Sequence, residues 1–242
     1  MSIAQIIGVL VSDGESCYSS YTGESKLPNS AKEIIIFGAG GHARVVAELA
    51  LALGYEIGCF LADEISETVV FGRPVLKEID ASVLRPVFAI AIGHNDTRYS
   101  IFTRLTKQFP DASFPSLIHP RSMISPSAVI EHGSVIFSGA LVGPQSKIDR
   151  FVIVNHGAQL DHNNYACEFS SIGPGAVLGG GVTVGNAAVV AMRAAVKHQV
   201  NIGSYSILGA NSYLDRNLPP NSVAYGNPAR IIRTRQKNDA YL

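Results

Sequence analysis

Four histidines in the C-terminal half of the chain occupy the same place in a repeat and are the first candidates for chemistry. Each follows an aliphatic residue by two positions: His132, His156, His162 and His198. His162 lies between Asp161 and Asn163, and an imidazole can take a proton from an attacking amine or hydroxyl near neutral pH. We therefore predict that His162 is a general base. A surface or interface histidine is the alternative interpretation.

The aliphatic residues before these histidines belong to a six-residue period. From Ile118 to Leu214, every sixth residue is Ile, Leu or Val, with the exception of Ala166. The residue four positions further on is small or β-branched, except at Asn164. A helix repeats every 3.6 residues and a strand every 2, whereas a hexapeptide period is typical of a solenoid of short parallel strands. The sequence predicts a left-handed parallel β-helix over residues 114–217.

Three hexads close one coil of such a solenoid, so residues 18 positions apart stack on one another. By this arithmetic His162, Gly180 and His198 lie on one face, and Gly180 leaves an open lane beside the His162 imidazole for a long, thin ligand. A zinc ion held by histidines of two subunits is an alternative. His156 and His162 have no obvious third ligand, however, so we predict no metal site.

A glycine-rich turn follows the first apolar run of the N-terminal half, with the sequence Gly38-Ala39-Gly40-Gly41-His42-Ala43. Its G-x-G-x-x-A spacing allows the backbone to approach a phosphate at a helix N-terminus. The motif alone is a weak signal, and a redox dinucleotide or a purely structural turn are alternatives. We predict that Gly40, Gly41 and His42 bind the nucleotide part of a ligand.

The rest of the N-terminal half alternates apolar runs with helical spacing, which predicts a Rossmann-like α/β domain over residues 32–113. Strands are predicted at 34–37, 55–61, 71–75 and 87–93, and helices at 44–54 and 98–109. Asp63 follows the second strand, and Gly93, Asn95 and Arg98 follow the last. Because open α/β sheets bind ligands at the carboxyl ends of their strands, we predict that these four residues contact substrate. A solvated acid, a helix cap or a surface charge are the alternatives.

The composition restricts the partners and the compartment. The chain has 242 residues, of which 47% are hydrophobic, and a formal net charge of zero, so neither nucleic acid nor a membrane surface is expected as a partner. Three cysteines at positions 17, 59 and 167 lack disulfide or metal-ligand spacing, which favours a cytoplasmic protein. We interpret residues 1–31 as an extension and 218–242 as a C-terminal tail.

Together these features resemble the bacterial sugar acyltransferases of the left-handed β-helix superfamily. Within it, they are most similar to the sialic-acid O-acetyltransferase-like family, which includes N-acetyltransferases of nucleotide-linked 4-amino-4,6-dideoxy sugars. The resemblance covers Glu33 to Arg230. It depends on the glycine turn, the segment from Gly93 to Arg98, the hexapeptide array and the closing Gly226-Asn227-Pro228-Ala229-Arg230.

The resemblance implies a homotrimer with active sites between subunits and acetyl-CoA as co-substrate, without a metal. It implies that His162 is the base while an amine attacks the thioester directly. It also implies that acetyl-CoA lies along the lane at Gly180, near Met192 and Ala210. The expected function is N-acetylation of a nucleotide-linked amino sugar for surface glycans. O-acetylation of a sugar hydroxyl and a non-catalytic nucleotide-sugar-binding trimer are the alternatives.

Two positions depart from the family pattern. The family usually has an acid directly after the base, where this chain has Asn163, whose amide can still accept a bond from the imidazole. It often has a second histidine nine residues after the base, where this chain has Ser171. Ser171 is therefore expected to contact the acetyl group or the acceptor, and both changes bear on acceptor choice or rate.

Overall fold

A computed structural model describes residues 32–80, 85–236 and 239, so the 1–31 extension and Cys17 lie outside the described residues. The N-terminal domain has five strands and two helices. They are β1 (Glu33–Phe37), α1 (Gly41–Ala52), β2 (Glu56–Leu61), β3 (Val69–Val70), β4 (Arg73–Leu76), β5 (Phe88–Ile90) and α2 (Asn95–Gln108). Neither of these helices is long and apolar enough to cross a membrane.

The sheet of this domain has the strand order β3-β4-β2-β1-β5. Strands β4, β2, β1 and β5 are parallel, as predicted, while β3 pairs with β4 antiparallel. The predicted strand 71–75 is therefore only partly a strand. Phe71 and Gly72 form the hairpin turn before β4, with φ angles of 49° and 69°, which are typical of tight turns.

Seventeen strands of two residues each, β6 to β22, form the predicted β-helix. Their bounds are Leu117–Ile118, Met123–Ile124, Val129–Ile130, Val135–Ile136, Leu141–Val142, Lys147–Ile148, Ile153–Val154, Gln159–Leu160, Tyr165–Ala166, Ser171–Ile172, Val177–Leu178, Thr183–Val184, Val189–Val190, Ala195–Val196, Asn201–Ile202, Ile207–Leu208 and Tyr213–Leu214. The second residue of each strand points into the prism, and from Ile136 onward all of these residues are buried.

The strands form the three faces of a triangular prism. Face 1 contains β6-β9-β12-β15-β18-β21, face 2 contains β7-β10-β13-β16-β19-β22, and face 3 contains β8-β11-β14-β17-β20. Leu141 pairs with Gln159, and Gln159 with Val177, so the predicted 18-residue stack is confirmed. We name the edges by the faces they join: the 1–2 edge, the 2–3 edge and the 3–1 edge.

The C-terminal residues extend face 1. Strand β23 (Ser222–Gly226) pairs parallel with β21, and β24 (Ala229–Thr234) pairs antiparallel with β23. The segment predicted as a tail therefore begins with a hairpin that lengthens the sheet. Arg235 directly after it is buried and bonds Asp96 of α2 at 3.1 Å, which ties this end of the chain to the N-terminal domain.

The N-terminal domain lies against face 1 and the 3–1 edge. Outward residues of face 1, such as Val135 and Ile153, join the core of the N-terminal domain. Phe102 of α2 contacts Phe151 and Phe169 on the 3–1 edge, with ring centroids 4.4 and 5.9 Å apart. This contact sets where the glycine turn lies relative to the β-helix.

Candidate functional site

His162 lies on the 2–3 edge, in the turn between β13 and β14, and its backbone is fixed on both sides. The amide of Asn163 donates to the carbonyl of Pro144 one coil before, at 2.8 Å, and the amide of Gly181 one coil later donates to the carbonyl of His162, at 2.9 Å. The side chain of His162 is exposed. The turn therefore presents the imidazole at the surface from a rigid backbone.

The imidazole of His162 is oriented by the residue that follows it. Nδ1 of His162 lies 2.8 Å from Oδ1 of Asn163. Because an amide oxygen can only accept, Nδ1 carries the proton in this arrangement and Nε2 is left with a free lone pair. Asn163 has φ 56°, a left-handed conformation that asparagine tolerates better than most residues. The neutral amide thus fulfils the orienting role expected of it.

Gly180 lies directly against the imidazole, one coil after His162. A Cβ atom at position 180 would be 2.4 Å from Nε2 of His162. Any side chain there would displace the ring or cover the free nitrogen. The stacking of Gly180 on His162 predicted from the 18-residue spacing is therefore confirmed, and the imidazole occupies the space that a side chain at position 180 would take.

A pocket of about 200 Å³ lies between the N-terminal domain and the 1–2 edge. Its polar lining consists of His42, Asn155 and Ser171, with the backbone of Gly93, and the rest is mainly apolar. Nε2 of His42 is buried and has no hydrogen-bond partner among the described residues. Burial lowers the pKa of His42 to about 4, and the nearby charge of Arg98 and the proximity of His156 contribute. His42 is therefore neutral at physiological pH, with one ring nitrogen available to a ligand.

The glycine turn beside this pocket leaves its backbone accessible. A Cβ atom at Gly40, Gly41 or Gly93 would have no heavy atom within 4 Å. Helix α1 begins at Gly41, and no side chain of the described residues caps its N-terminus. Free backbone N–H groups and the positive end of the helix dipole favour an anion at this place. The turn thus has the open geometry that a phosphate group requires.

Asn95 and Arg98, predicted as substrate contacts, instead bind the β-helix backbone. Arg98 is 1% exposed, and its guanidinium donates to the carbonyl oxygens of Phe151 at 3.0 Å and Phe169 at 2.7 Å. Asn95 is fully buried and donates to the carbonyl of Ala187 at 3.1 Å. Since both side chains are enclosed at the junction, the structure favours a positioning role for them over ligand contact.

Ser171 joins the same junction from the β-helix side. Its hydroxyl donates to Oδ1 of Asn95 at 2.7 Å and accepts from Arg98 at 3.3 Å. Ser171 also lines the pocket that contains His42. The residue that replaces the family's second histidine therefore links the two domains next to the pocket.

Asp63 lies at the carboxyl ends of the parallel strands, next to α2 and away from the pocket of His42. It is exposed and accepts from Arg104 at 2.8 Å. Together with Lys77 and Glu78 it lines a separate depression of about 170 Å³. The structure does not bring Asp63 into the pocket of His42, so a shared ligand would have to extend over the ends of β1 and β2.

The predicted acetyl-CoA residues are divided between two edges. Gly180 lies with His162 on the 2–3 edge, whereas Met192 and Ala210 lie one above the other on the 1–2 edge and are exposed. Met192 lines the pocket of His42. Within one chain, face 2 therefore separates the candidate base from the candidate substrate pocket.

His156, on the 1–2 edge, is stacked against Phe137 with ring centroids 4.7 Å apart. Its Nδ1 lies 2.9 Å from Oδ1 of Asn155. Desolvation, followed by the charge of His119, lowers its pKa. The described residues contain no group of three His, Cys, Asp or Glu side chains arranged to hold a metal ion.

The glycine-turn domain matches a known family model. Residues 33–105 match the PglD N-terminal domain. This match covers the sheet, the glycine turn, α1 and most of α2.

Two solved structures resemble nearly the whole described chain. The perosamine N-acetyltransferase from Caulobacter crescentus, a mutant in complex with CoA and GDP-perosamine, is 30% identical with a TM-score of 0.77, over 86% of this chain and 99% of that one. The acetyltransferase domain of PglB from Neisseria gonorrhoeae, in complex with acetyl coenzyme A, is 33% identical with a TM-score of 0.76, over 84% and 100%. The chain belongs to the nucleotide-amino-sugar N-acetyltransferases of the hexapeptide-repeat superfamily.

Membership of this family agrees with the left-handed β-helix and the α/β domain predicted from the sequence. A curated relative is the UDP-N-acetylbacillosamine N-acetyltransferase of Bacillus subtilis, 34% identical over 44% of this chain and 52% of its own length. The serine acetyltransferase 2 of Arabidopsis thaliana is 30% identical over 52% of this chain and 34% of its own length. The chain thus spans about half or less of the length of these two curated relatives.

The sequence interpretation missed two polar residues of the site. Asn155 lines the pocket of His42, and the sequence pattern does not single it out. Gln145 accepts a hydrogen bond from Nδ2 of Asn163 at 2.8 Å. Gln145 stands 18 residues before Asn163, so the same stacking arithmetic that placed Gly180 was the signal for it.

Proposed function

We propose that the protein is an acetyl-CoA-dependent N-acetyltransferase that acts on a nucleotide-linked 4-amino-4,6-dideoxy sugar in the cytoplasm. The observation that carries this proposal is the exposed His162 imidazole, with Nδ1 bonded to Asn163 and Nε2 next to Gly180. An accessible, unprotonated nitrogen next to an open lane is what a base needs when an amine attacks a thioester. The bound ligands of the solved relatives support the two substrate classes.

In the proposed reaction, the sugar amine attacks the carbonyl carbon of acetyl-CoA and forms a C–N bond. The C–S bond breaks, and CoA leaves as a thiolate. The proton of the attacking nitrogen passes to Nε2 of His162 and from there to the thiolate sulfur. No covalent enzyme intermediate is needed, because both substrates are held in the same site.

The proposed nucleotide site is the glycine turn. Gly40 and Gly41 leave room for a phosphate at the N-terminus of α1, and the neutral His42 offers Nε2 to a polar group of the ligand. Arg98, fixed behind the pocket, contributes positive charge without entering it. Asp63 is proposed to contact the ribose or base where the ligand extends over the sheet ends.

We further propose that the site is completed by a second subunit of a homotrimer. Three of the six outward residues of face 2 are apolar and exposed: Met123 is 68%, Val177 43% and Tyr213 36% exposed. If face 2 packs around a threefold axis, the 2–3 edge of one subunit meets the 1–2 edge of the next. His162 of one copy would then reach the pocket that contains His42 and Met192 of another.

The direct test is thiol release from acetyl-CoA in the presence of UDP-, dTDP- and GDP-linked 4-amino sugars. Wild type should release thiol with at least one of them, and His162→Ala should lower kcat by roughly 10²–10⁴-fold. His132→Ala is the matched control, because His132 has the same place in its hexad but lies on the remote 3–1 edge. Equal activity of His162→Ala and wild type would contradict the assignment of the base.

Other outcomes of the same assay separate the alternative functions. Thiol release with sialic acid or another sugar alcohol, and none with any amino sugar, would replace the proposal with O-acetylation. Tight nucleotide binding without thiol release would indicate a non-catalytic binding protein.

Subunit mixing tests whether the site is shared. Co-assembled His162→Ala and His42→Ala subunits should recover part of the activity that each variant lacks alone, since one interface then carries an intact His162 and an intact His42. No recovery in verified mixed trimers would place the whole site within one chain.

A further inference from the structure

A second amide stands behind the pair formed by His162 and Asn163. Nδ2 of Asn163 donates to Oε1 of Gln145, which lies one coil earlier on the same edge, at 2.8 Å. Oδ1 of Asn163 lies 2.8 Å from Nδ1 of His162. Gln145, Asn163 and His162 therefore form one continuous hydrogen-bonded chain that ends at the proposed base.

The direction of this chain decides which nitrogen of the imidazole is free. When Gln145 accepts from Nδ2 of Asn163, Oδ1 of Asn163 must face the imidazole, so Nδ1 of His162 is the donor and Nε2 is unprotonated. If the amide of Asn163 were reversed, its NH₂ group would donate to Nδ1, and the proton of a neutral imidazole would lie on Nε2. In that state Nε2 could not accept a proton from an amine.

This dependence follows from the residue that the chain has at position 163. A carboxylate has two equivalent accepting oxygens and orients an imidazole in either rotamer. An amide has one accepting and one donating end, so the end that faces the imidazole depends on the partner at the other end. Gln145 is the group that contacts the far end of the Asn163 amide.

The backbone holds the side-chain amides of Gln145 and Asn163 at equivalent positions of adjacent coils. Gln145 and Asn163 both have left-handed φ angles, 57° and 56°. The backbone N–H of Asn163 donates to the carbonyl of Pro144 at 2.8 Å, and the backbone N–H of Gln145 donates to Oγ of Ser127 at 3.1 Å. The two side chains thus leave the 2–3 edge one above the other.

We propose that Gln145 is a positioning residue that orients the Asn163 amide and thereby keeps Nε2 of His162 free. This inference rests on the proposed role of His162 as the base. Gln145 acts through Asn163 and contacts no reacting atom. In this chain, the pair Gln145 and Asn163 would thus orient the imidazole as a single carboxylate at position 163 could do alone.

The test replaces Gln145 by side chains of opposite hydrogen-bonding character. Glu accepts, so Gln145→Glu should keep the Asn163 orientation and retain kcat within about threefold. The ammonium of Lys can only donate, so Gln145→Lys should favour the reversed amide and lower kcat at least tenfold. KM for both substrates should stay within about twofold, because neither variant touches the substrate sites. Equal kcat for the Glu and Lys variants would overturn the proposal.

The same change in an Asn163→Asp background separates amide orientation from added charge. A carboxylate at position 163 can accept from an ammonium group and from the imidazole at once. Gln145→Lys combined with Asn163→Asp should therefore lose less than about threefold in kcat relative to Asn163→Asp alone. A loss of the same factor in both backgrounds would mean that the lysine charge, and not the amide, is responsible.

A readout that needs no substrate distinguishes failure of this inference from failure of the proposed function. Long-range ¹H–¹⁵N spectra of histidine-labelled protein at pH 8.5, with His162→Ala for assignment, report which ring nitrogen carries the proton. Wild type should show the proton of His162 on Nδ1, and Gln145→Lys should show it on Nε2. An unchanged tautomer would overturn the inference, even if acetyl transfer is confirmed.

Discussion

The two histidines of the proposed site are held in opposite ways. His162 is exposed, and its imidazole is fixed by its own neighbour Asn163 and by stacked residues of adjacent coils. His42 is mostly buried, and its environment is built from two domains, with Nε2 left unpaired among the described residues. The orientation of the proposed base therefore depends on local repeat geometry, whereas the proposed substrate pocket depends on how the two domains are joined.

Arg98 is expected to show the largest effect on the domain junction. Replacing it by Met leaves several buried carbonyl oxygens, including those of Phe151 and Phe169, without their donor. At about 1–3 kcal/mol for each unsatisfied group, we expect Arg98→Met to lower the free energy of unfolding by roughly 3–5 kcal/mol. Urea unfolding of the variant and wild type measures this loss.

Arg104→Met is the control for the loss of an arginine. Arg104 pairs with Asp63, and both side chains are about half exposed, so this change should cost less than about 1 kcal/mol. If the two variants unfold at the same urea concentration, the junction does not depend on Arg98.

A substitution of Gly180 tests the His162 side of the comparison, because it affects the proposed base without changing the domain junction. A Cβ atom would lie 2.4 Å from Nε2 of His162, so Gly180→Ala should displace the imidazole and lower kcat about 10²-fold, or roughly 2.7 kcal/mol in the barrier. The Tm should fall by only a few degrees, since the ring is at the surface. Unaltered kcat would show that the lane beside Nε2 is not used.

His42 should make stability depend on pH. Burial, with the nearby Arg98, lowers its pKa to about 4, below the usual 6.5, so the unfolded chain binds a proton that the folded chain excludes. Above about pH 6.5 His42 therefore does not reduce the free energy of unfolding. As the pH decreases to about 4, the free energy of unfolding falls by up to about 3 kcal/mol because of this group. Urea midpoints at pH 7.5 and 4.5 should differ less for His42→Gln than for wild type. An equal difference would mean that His42 does not cause the dependence.

The sequence predicted the His162 side of the site well, because its contacts recur at a fixed spacing. The 18-residue stack placed Gly180 against His162, and the Cβ contact confirms this placement. The same arithmetic would have found Gln145 from Asn163. In a solenoid each coil touches only its neighbours, so position along the chain is enough to infer contact.

The sequence could not predict the junction, because its contacts join residues 53 to 92 positions apart without a period. Arginine is rarely fully buried, so a surface charge or a ligand contact were the natural interpretations of Arg98. Its enclosure depends on the packing of α2 against the 3–1 edge, where Phe102 meets Phe151. The enclosure of Asn95 was unpredictable for the same reason, since its partner Ala187 belongs to the other domain.

Asn164, the one residue at its repeat position that is neither small nor β-branched, gives the smallest expected effect and joins the two halves of the comparison. Its side chain is buried, donates to the carbonyl of Asp161 at 2.6 Å and accepts from the amide of Val182 at 3.0 Å, so it fixes the turn that presents His162. Alanine occupies this place in other hexads, so an alanine side chain should fit at position 164. Asn164→Ala should lower the free energy of unfolding by roughly 1–3 kcal/mol and lower kcat a few-fold. Ser212→Ala removes one buried bond in a distant coil and should lower stability alone. If both variants lose the same activity, the hydrogen bonds of Asn164 serve the coil and not the base.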